Sequence, residues 1–66
     1  MKHIGKRILK LRQIARMTQA EFGEILGVTA PNVCQYEKGK LLPSLKVLKL
    51  MKKTFHCSYD WLLEDL

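Results

Sequence analysis

Apolar positions recur at helical spacing along nearly the whole chain. Ile4, Ile8, Leu11 and Ala15 fall at steps of four, three and four, one stripe of a first helix from Ile4 to Arg16. Phe22, Ile25 and Leu26 mark the buried face of a second helix, Gln19 to Leu26. Val33 and Tyr36 do the same for a third, Ala30 to Lys38. Leu45, Leu48, Met51 and Phe55 have core spacing on a fourth, Leu45 to Thr54, with Lys46, Lys49, Lys52 and Lys53 on its wet face. Trp61 and Leu62 plug the core from a last short helix, Tyr59 to about Glu64. Met1–His3 reads as a frayed end. The pattern predicts an all-α bundle of five helices, without repeat, linker or low-complexity segment.

The residues between the stripes place the helix ends. Thr18 with Glu21 three residues on makes a capping box worth about 1 kcal/mol. Gly27 is free to take positive φ and stops the second helix. Thr29 caps the third, and Pro31 sits in its first turn, where a missing N–H costs nothing. Gly39 closes that helix near Lys38. Ser44 and Ser58 cap the last two. Gly27, Val28 and Thr29 leave a turn of only three to four residues. Gly23 is small where the second helix must be crossed closely. Two short helices and a tight turn make a helix-turn-helix, whose second helix can enter a DNA major groove.

Length and charge narrow the partners. Sixty-six residues make one domain, which buries only about 60% of its unfolded surface and would gain from a partner subunit. Lysine and arginine total 12 against 6 acidic residues. Residues 58–66 hold Asp60, Glu64 and Asp65 and no base, so residues 1–57 carry +9. A basic body with an acidic end favours a polyanion, nucleic acid ahead of membrane. No apolar run approaches the roughly 20 residues of a membrane span, and the first residues do not resemble a signal peptide. The cytoplasm is therefore the expected location. Cys34 and Cys57 do not form a disulfide framework and are expected as free thiols.

Several residues together resemble the Cro/phage-repressor (XRE-type) DNA-binding family, from about Ile4 to Leu63. They are Leu11-Arg12, Thr18-Gln19, Gly27-Val28-Thr29, Val33, Tyr36-Glu37-Lys38-Gly39-Lys40, Pro43-Ser44-Leu45 and Tyr59-Asp60-Trp61-Leu62-Leu63. The resemblance implies a compact five-helix, lambda-repressor-like fold, encoded by a prokaryote or phage and nucleoid-associated when bound. It also implies an Arg12–Glu37 salt bridge tying the first helix to the recognition helix. Two departures stand out. Arg16 occupies a usual glycine position, so it either adopts a strained left-handed conformation or the helix ends differently. Leu41-Leu42-Pro43 replaces the usual charged loop. These leucines either cover the core or, together with Pro43, join a dimer contact with the region around Tyr59–Leu62.

The resemblance places base contacts at Ala30, Pro31 and Gln35. Gln35 is the best reader, since its amide can pair with adenine N6 and N7 for about 1–3 kcal/mol of discrimination. Ala30 and Pro31 carry no polar side-chain atom and can only meet a thymine methyl or define shape. Backbone contacts are expected from Gln19, Thr29, Asn32, Tyr36, Lys38 and Lys40, aided by helix N-termini. The whole implies a homodimer on a palindromic operator, double-stranded DNA as partner and most simply repression. Binding should fall steeply with salt.

Rival classes find less support. Acidic residues are few, and His3 and His56 have no neighbouring base-and-nucleophile grouping, so no enzyme and no small-molecule substrate is expected. His3, His56, Cys34 and Cys57 match no zinc spacing, so neither metal nor cofactor is expected. The basic amphipathic first helix alone also reads as a membrane-surface element. The main alternative keeps the fold and makes it a protein-interaction module, such as an antitoxin or anti-regulator.

Overall fold

The computed structural model describes residues 3–63 and folds them into five helices. These are α1 (Ile4–Ile14), α2 (Gln19–Leu26), α3 (Ala30–Glu37), α4 (Leu45–Phe55) and α5 (Tyr59–Leu63). No strand occurs among the described residues, so the all-α five-helix reading stands.

One core draws on every helix. Ile4, Ile8 and Leu11 enter from α1, Phe22 and Leu26 from α2, and Val33 and Tyr36 from α3. Val47, Leu48 and Met51 come from α4 and Leu62 from α5. Each such large side chain contributes about 1.5–3 kcal/mol by leaving water. Phe22 and Phe55 stack with ring centroids 5.2 Å apart, fastening α2 to the end of α4.

The caps sit where the residue types put them. Thr18 Oγ1 accepts the Glu21 N–H at 3.1 Å, and the Glu21 carboxylate accepts the Thr18 N–H at 2.8 Å. Thr29, Ser44 and Ser58 hydroxyls accept the N–H groups of Asn32, Val47 and Trp61. Gly27 ends α2 with φ 73°.

Gly5 has a role the apolar pattern did not show. A Cβ there would lie 2.5 Å from the Tyr36 carbonyl oxygen and 2.8 Å from that of Glu37. Hydrogen alone lets the α1 backbone touch the end of α3. Gly23 does the same for the turn, with the Val28 carbonyl oxygen 2.6 Å from its would-be Cβ. The close neighbour of α2 at this point is thus the turn backbone.

The stripes were right in kind and wrong at their margins. Ile25 is 39% exposed and Leu45 is 63% exposed, whereas Val47 is buried. The buried face of α2 centres between Phe22, Gly23 and Leu26, and that of α4 between Val47, Leu48 and Met51. At 3.6 residues per turn, Ile25 and Leu45 each lie about 110° from those centres. The first helix also ends earlier than expected. Ala15 is its C-cap, and Arg16 takes the left-handed conformation at φ 57°. His56 does likewise at φ 56° after α4, which the spacing did not anticipate. The last helix reaches Leu63, and the expected Glu64 end falls outside the described residues.

Candidate nucleic-acid interface

The eight residues of α3 make a rod of roughly 12 Å. Val33 and Tyr36 face inward and are buried. On the other side Pro31 and Lys38 are exposed, while Ala30, Cys34 and Gln35 are half-buried. Pro31, Gln35 and Lys38 follow one another at steps of four and three, so they share one face. Thr29 and Lys40, both exposed, flank its two ends.

One carboxylate holds this rod in place. Arg12 Nε donates to Glu37 Oε2 at 2.6 Å and Arg12 Nη2 to Glu37 Oε1 at 3.2 Å, a bidentate pair. The side chains are 19% and 7% exposed, so the pair is largely out of water. Arg12 Nη1 also donates to the Met17 carbonyl at 3.1 Å, which fixes the guanidinium plane. The hydrogen bond to Glu37 raises the Arg12 pKa above its ordinary value, against the smaller lowering effect of burial. The expected bridge between the first helix and the recognition helix is therefore present.

A third donor was not anticipated. Gln19 Nε2 donates to Glu37 Oε1 at 3.0 Å. This side chain, expected to face a phosphate, spends one N–H inside the protein and keeps the other. It links the start of α2 to the last residue of α3. Spacing alone could not reveal this, because the partners lie 18 residues apart.

The two motif helices differ at their N-termini. The first turn of α2 holds the Glu21 carboxylate in its capping box, a negative group already at the positive end. The first turn of α3 has no acidic residue. It is the better placed of the two to meet an external anion. Asn32 is half-buried there, with its own N–H committed to Thr29. Tyr36 is only 4% exposed, so any backbone contact from it would use the hydroxyl.

The expected dimer surface changes more. Leu62 is fully buried and Pro43 is buried as well, so both belong to the monomer's interior rather than to a contact surface. Tyr59 is half-buried, with the Lys52 ammonium 5.1 Å from its ring centroid. Leu41 and Leu42 stay outside at 42% and 55% exposure, and Leu45 joins them. The shifted register of α4 is what puts Leu45 there.

Among the described residues, no three of histidine, cysteine, aspartate and glutamate come together as a metal site. No helix there is long and apolar enough to cross a membrane.

A helix-turn-helix family model matches residues 8–62. The chain belongs to the Cro/phage-repressor-like (XRE-type) helix-turn-helix family of DNA-binding transcription regulators. Three relatives define its neighbourhood. Antitoxin PezA of Streptococcus pneumoniae is 34% identical over 56 residues, covering 85% of this chain and 35% of that protein. An uncharacterised HTH-type transcriptional regulator of Sinorhizobium fredii is 33% identical over 63 residues, 96% of this chain and 44% of that one. Repressor protein C2 of Salmonella phage P22 is 31% identical over 61 residues, 92% of this chain and 28% of that one. The chain thus spans less than half the length of the curated relatives it matches. In three dimensions it is similar to the P22 c2 repressor, crystallised in complex with the synthetic operator 9T. The TM-score is 0.84 over 92% of each chain, at 31% identity.

Proposed function

We propose that this helix-turn-helix protein binds operator DNA as a homodimer and represses transcription, with no catalytic role. The observation that carries the reading is the division of α3. Its inner residues are buried or held by Arg12 and Gln19, while on the outer side Pro31 and Lys38 are exposed and Gln35 is half-buried. The structural similarity to a repressor crystallised on its operator supports the same use of the rod.

In this reading α3 lies in one major groove. Gln35 reads a base edge, Ala30 and Pro31 pack on thymine methyls or follow groove shape, and the open N-terminus of α3 meets a phosphate. Thr29, Asn32, Lys38 and Lys40 hold the flanking backbone, and Gln19 offers its remaining N–H. Two-fold symmetry then sets two half-sites about 34 Å apart. The protein works in the cytoplasm, on the nucleoid.

Selection of bound sequences from a random duplex pool tests this. A palindrome is expected, and Gln35→Ala is expected to relax one position in each half by about 1–3 kcal/mol. An unchanged motif would remove Gln35 as the reader, and no enrichment at all would remove DNA as the partner.

A second reading has its own support. Leu41, Leu42 and Leu45 are exposed together, and one relative is named an antitoxin. A protein-binding role for those leucines predicts enrichment of a protein, not of a DNA sequence.

A further inference from the structure

The end of α4 carries a feature that DNA binding through α3 does not use. Lys49, Lys52, Lys53, His56, Cys57 and Tyr59 line an open cleft of about 610 Å³. None of these residues belongs to the candidate DNA face. Among the described residues, no aspartate or glutamate lines the cleft. The three lysines sit at steps of three and one on a single face of α4, where like charges repel. None of them has an ion pair to a carboxylate among the described residues. Lys52 is turned onto the half-buried Tyr59 ring instead.

The cleft lies at the C-terminal end of α4. His56 ends α4 in the left-handed conformation, φ 56° and ψ 32°. At the ends of α1, α2 and α3 a cap N–H returns to the helix carbonyls. At the end of α4, among the described residues, no N–H from His56 to Ser58 does so. Among the described residues the carbonyls of this last turn gain no capping N–H, at the negative end of the helix dipole. The Cys57 thiol donates to the Met51 carbonyl at 3.7 Å. Burial raises its pKa, so at neutral pH it adds no negative charge to the cleft.

We propose that this cleft docks an acidic peptide segment of a protein partner while α3 remains free. Lysines call for carboxylates, uncapped carbonyls call for N–H donors, and the Tyr59 ring calls for an apolar side chain. A peptide supplies all three. A phosphodiester or free phosphate supplies only negative charge and has no N–H to give. The proposal does not depend on DNA binding, because the two sets of residues are separate.

The test is a nitrogen-15 NMR titration of the full chain at low salt with a blocked peptide of four glutamates around one leucine. Amide shifts are expected between Lys49 and Tyr59, with α3 unmoved. The triple variant Lys49→Gln, Lys52→Gln, Lys53→Gln is expected to bind about tenfold more weakly, since three exposed ion pairs are lost. Its thermal midpoint should match the parent, as all three side chains are exposed. Gln35→Ala should bind the peptide unchanged. Equal affinity in the triple variant overturns the proposal, as do shifts confined to α3 or no binding at millimolar peptide. Inorganic triphosphate displacing the peptide at equal concentration overturns it too, by showing that charge alone is read.

Discussion

Glu37 accepts three hydrogen bonds from two other segments, so its loss should reach far beyond its own helix. Glu37→Ala leaves a part-buried guanidinium without its carboxylate and is expected to cost about 2–3 kcal/mol. For a domain this small, that is a large share of the stability, read as a lower thermal midpoint by circular dichroism. The double change Arg12→Met, Glu37→Leu should recover much of the loss, because no charge is then stranded. A cost under about 1 kcal/mol for Glu37→Ala would instead mark the pair as solvated. Arg16 presents the opposite case. It holds φ 57° on an exposed turn, and left-handed backbone costs a residue with a Cβ roughly 1–2 kcal/mol. Arg16→Gly removes that strain but adds unfolded-chain entropy. A net rise of a few degrees in melting temperature is expected.

Residues that act on near neighbours were legible in the sequence. Thr18 with Glu21, Thr29, Ser44 and Ser58 cap their helices because hydroxyls reach an N–H three residues on. Gln19 was not legible in this way. Its bond to Glu37 depends on how α2 and α3 cross, and no local spacing encodes that. At the candidate site, Ala30, Pro31 and Gln35 could be named from the family resemblance of the motif. The lysine-lined cleft could not, since the four lysines of α4 read as a merely wet face.

At the scale of elements, contact between backbones decides the packing of α1 on α3. Gly5→Ala would place a methyl 2.5 Å from the Tyr36 carbonyl oxygen, inside any real contact. The rigid neighbour is main chain, so the helices must part. An overpacking cost of about 1–3 kcal/mol is expected, read as a lower urea midpoint. A neutral outcome would show that α1 can slide without loss. The five apolar stripes were readable because each helix has one wet side. Their margins were not. Ile25 and Leu45 meet helical spacing as well as their buried neighbours do, and only the position of the facing helix excludes them.

At the scale of the whole molecule, the exposed large apolar side chains among the described residues are Ile14, Ile25, Leu41, Leu42 and Leu45. Leu41, Leu42 and Leu45 expose only part of each side chain, far below the roughly 800 Å² per partner that a standard stable interface buries. With Leu62 and Pro43 inside the monomer, this patch cannot hold two free subunits together alone. The described chain is expected to sediment as a monomer at micromolar concentration and to pair on the operator, where both copies are already aligned. A stable dimer without DNA would place the interface elsewhere.

The two-sided construction of α3 has a consequence for descent. Val33, Tyr36 and Glu37 carry the folding duty, whereas Pro31 and Lys38 are exposed and Gln35 is only half-buried. A duplicated copy could exchange those outward three for other residues, acquire a new genomic address, and keep its stability almost untouched.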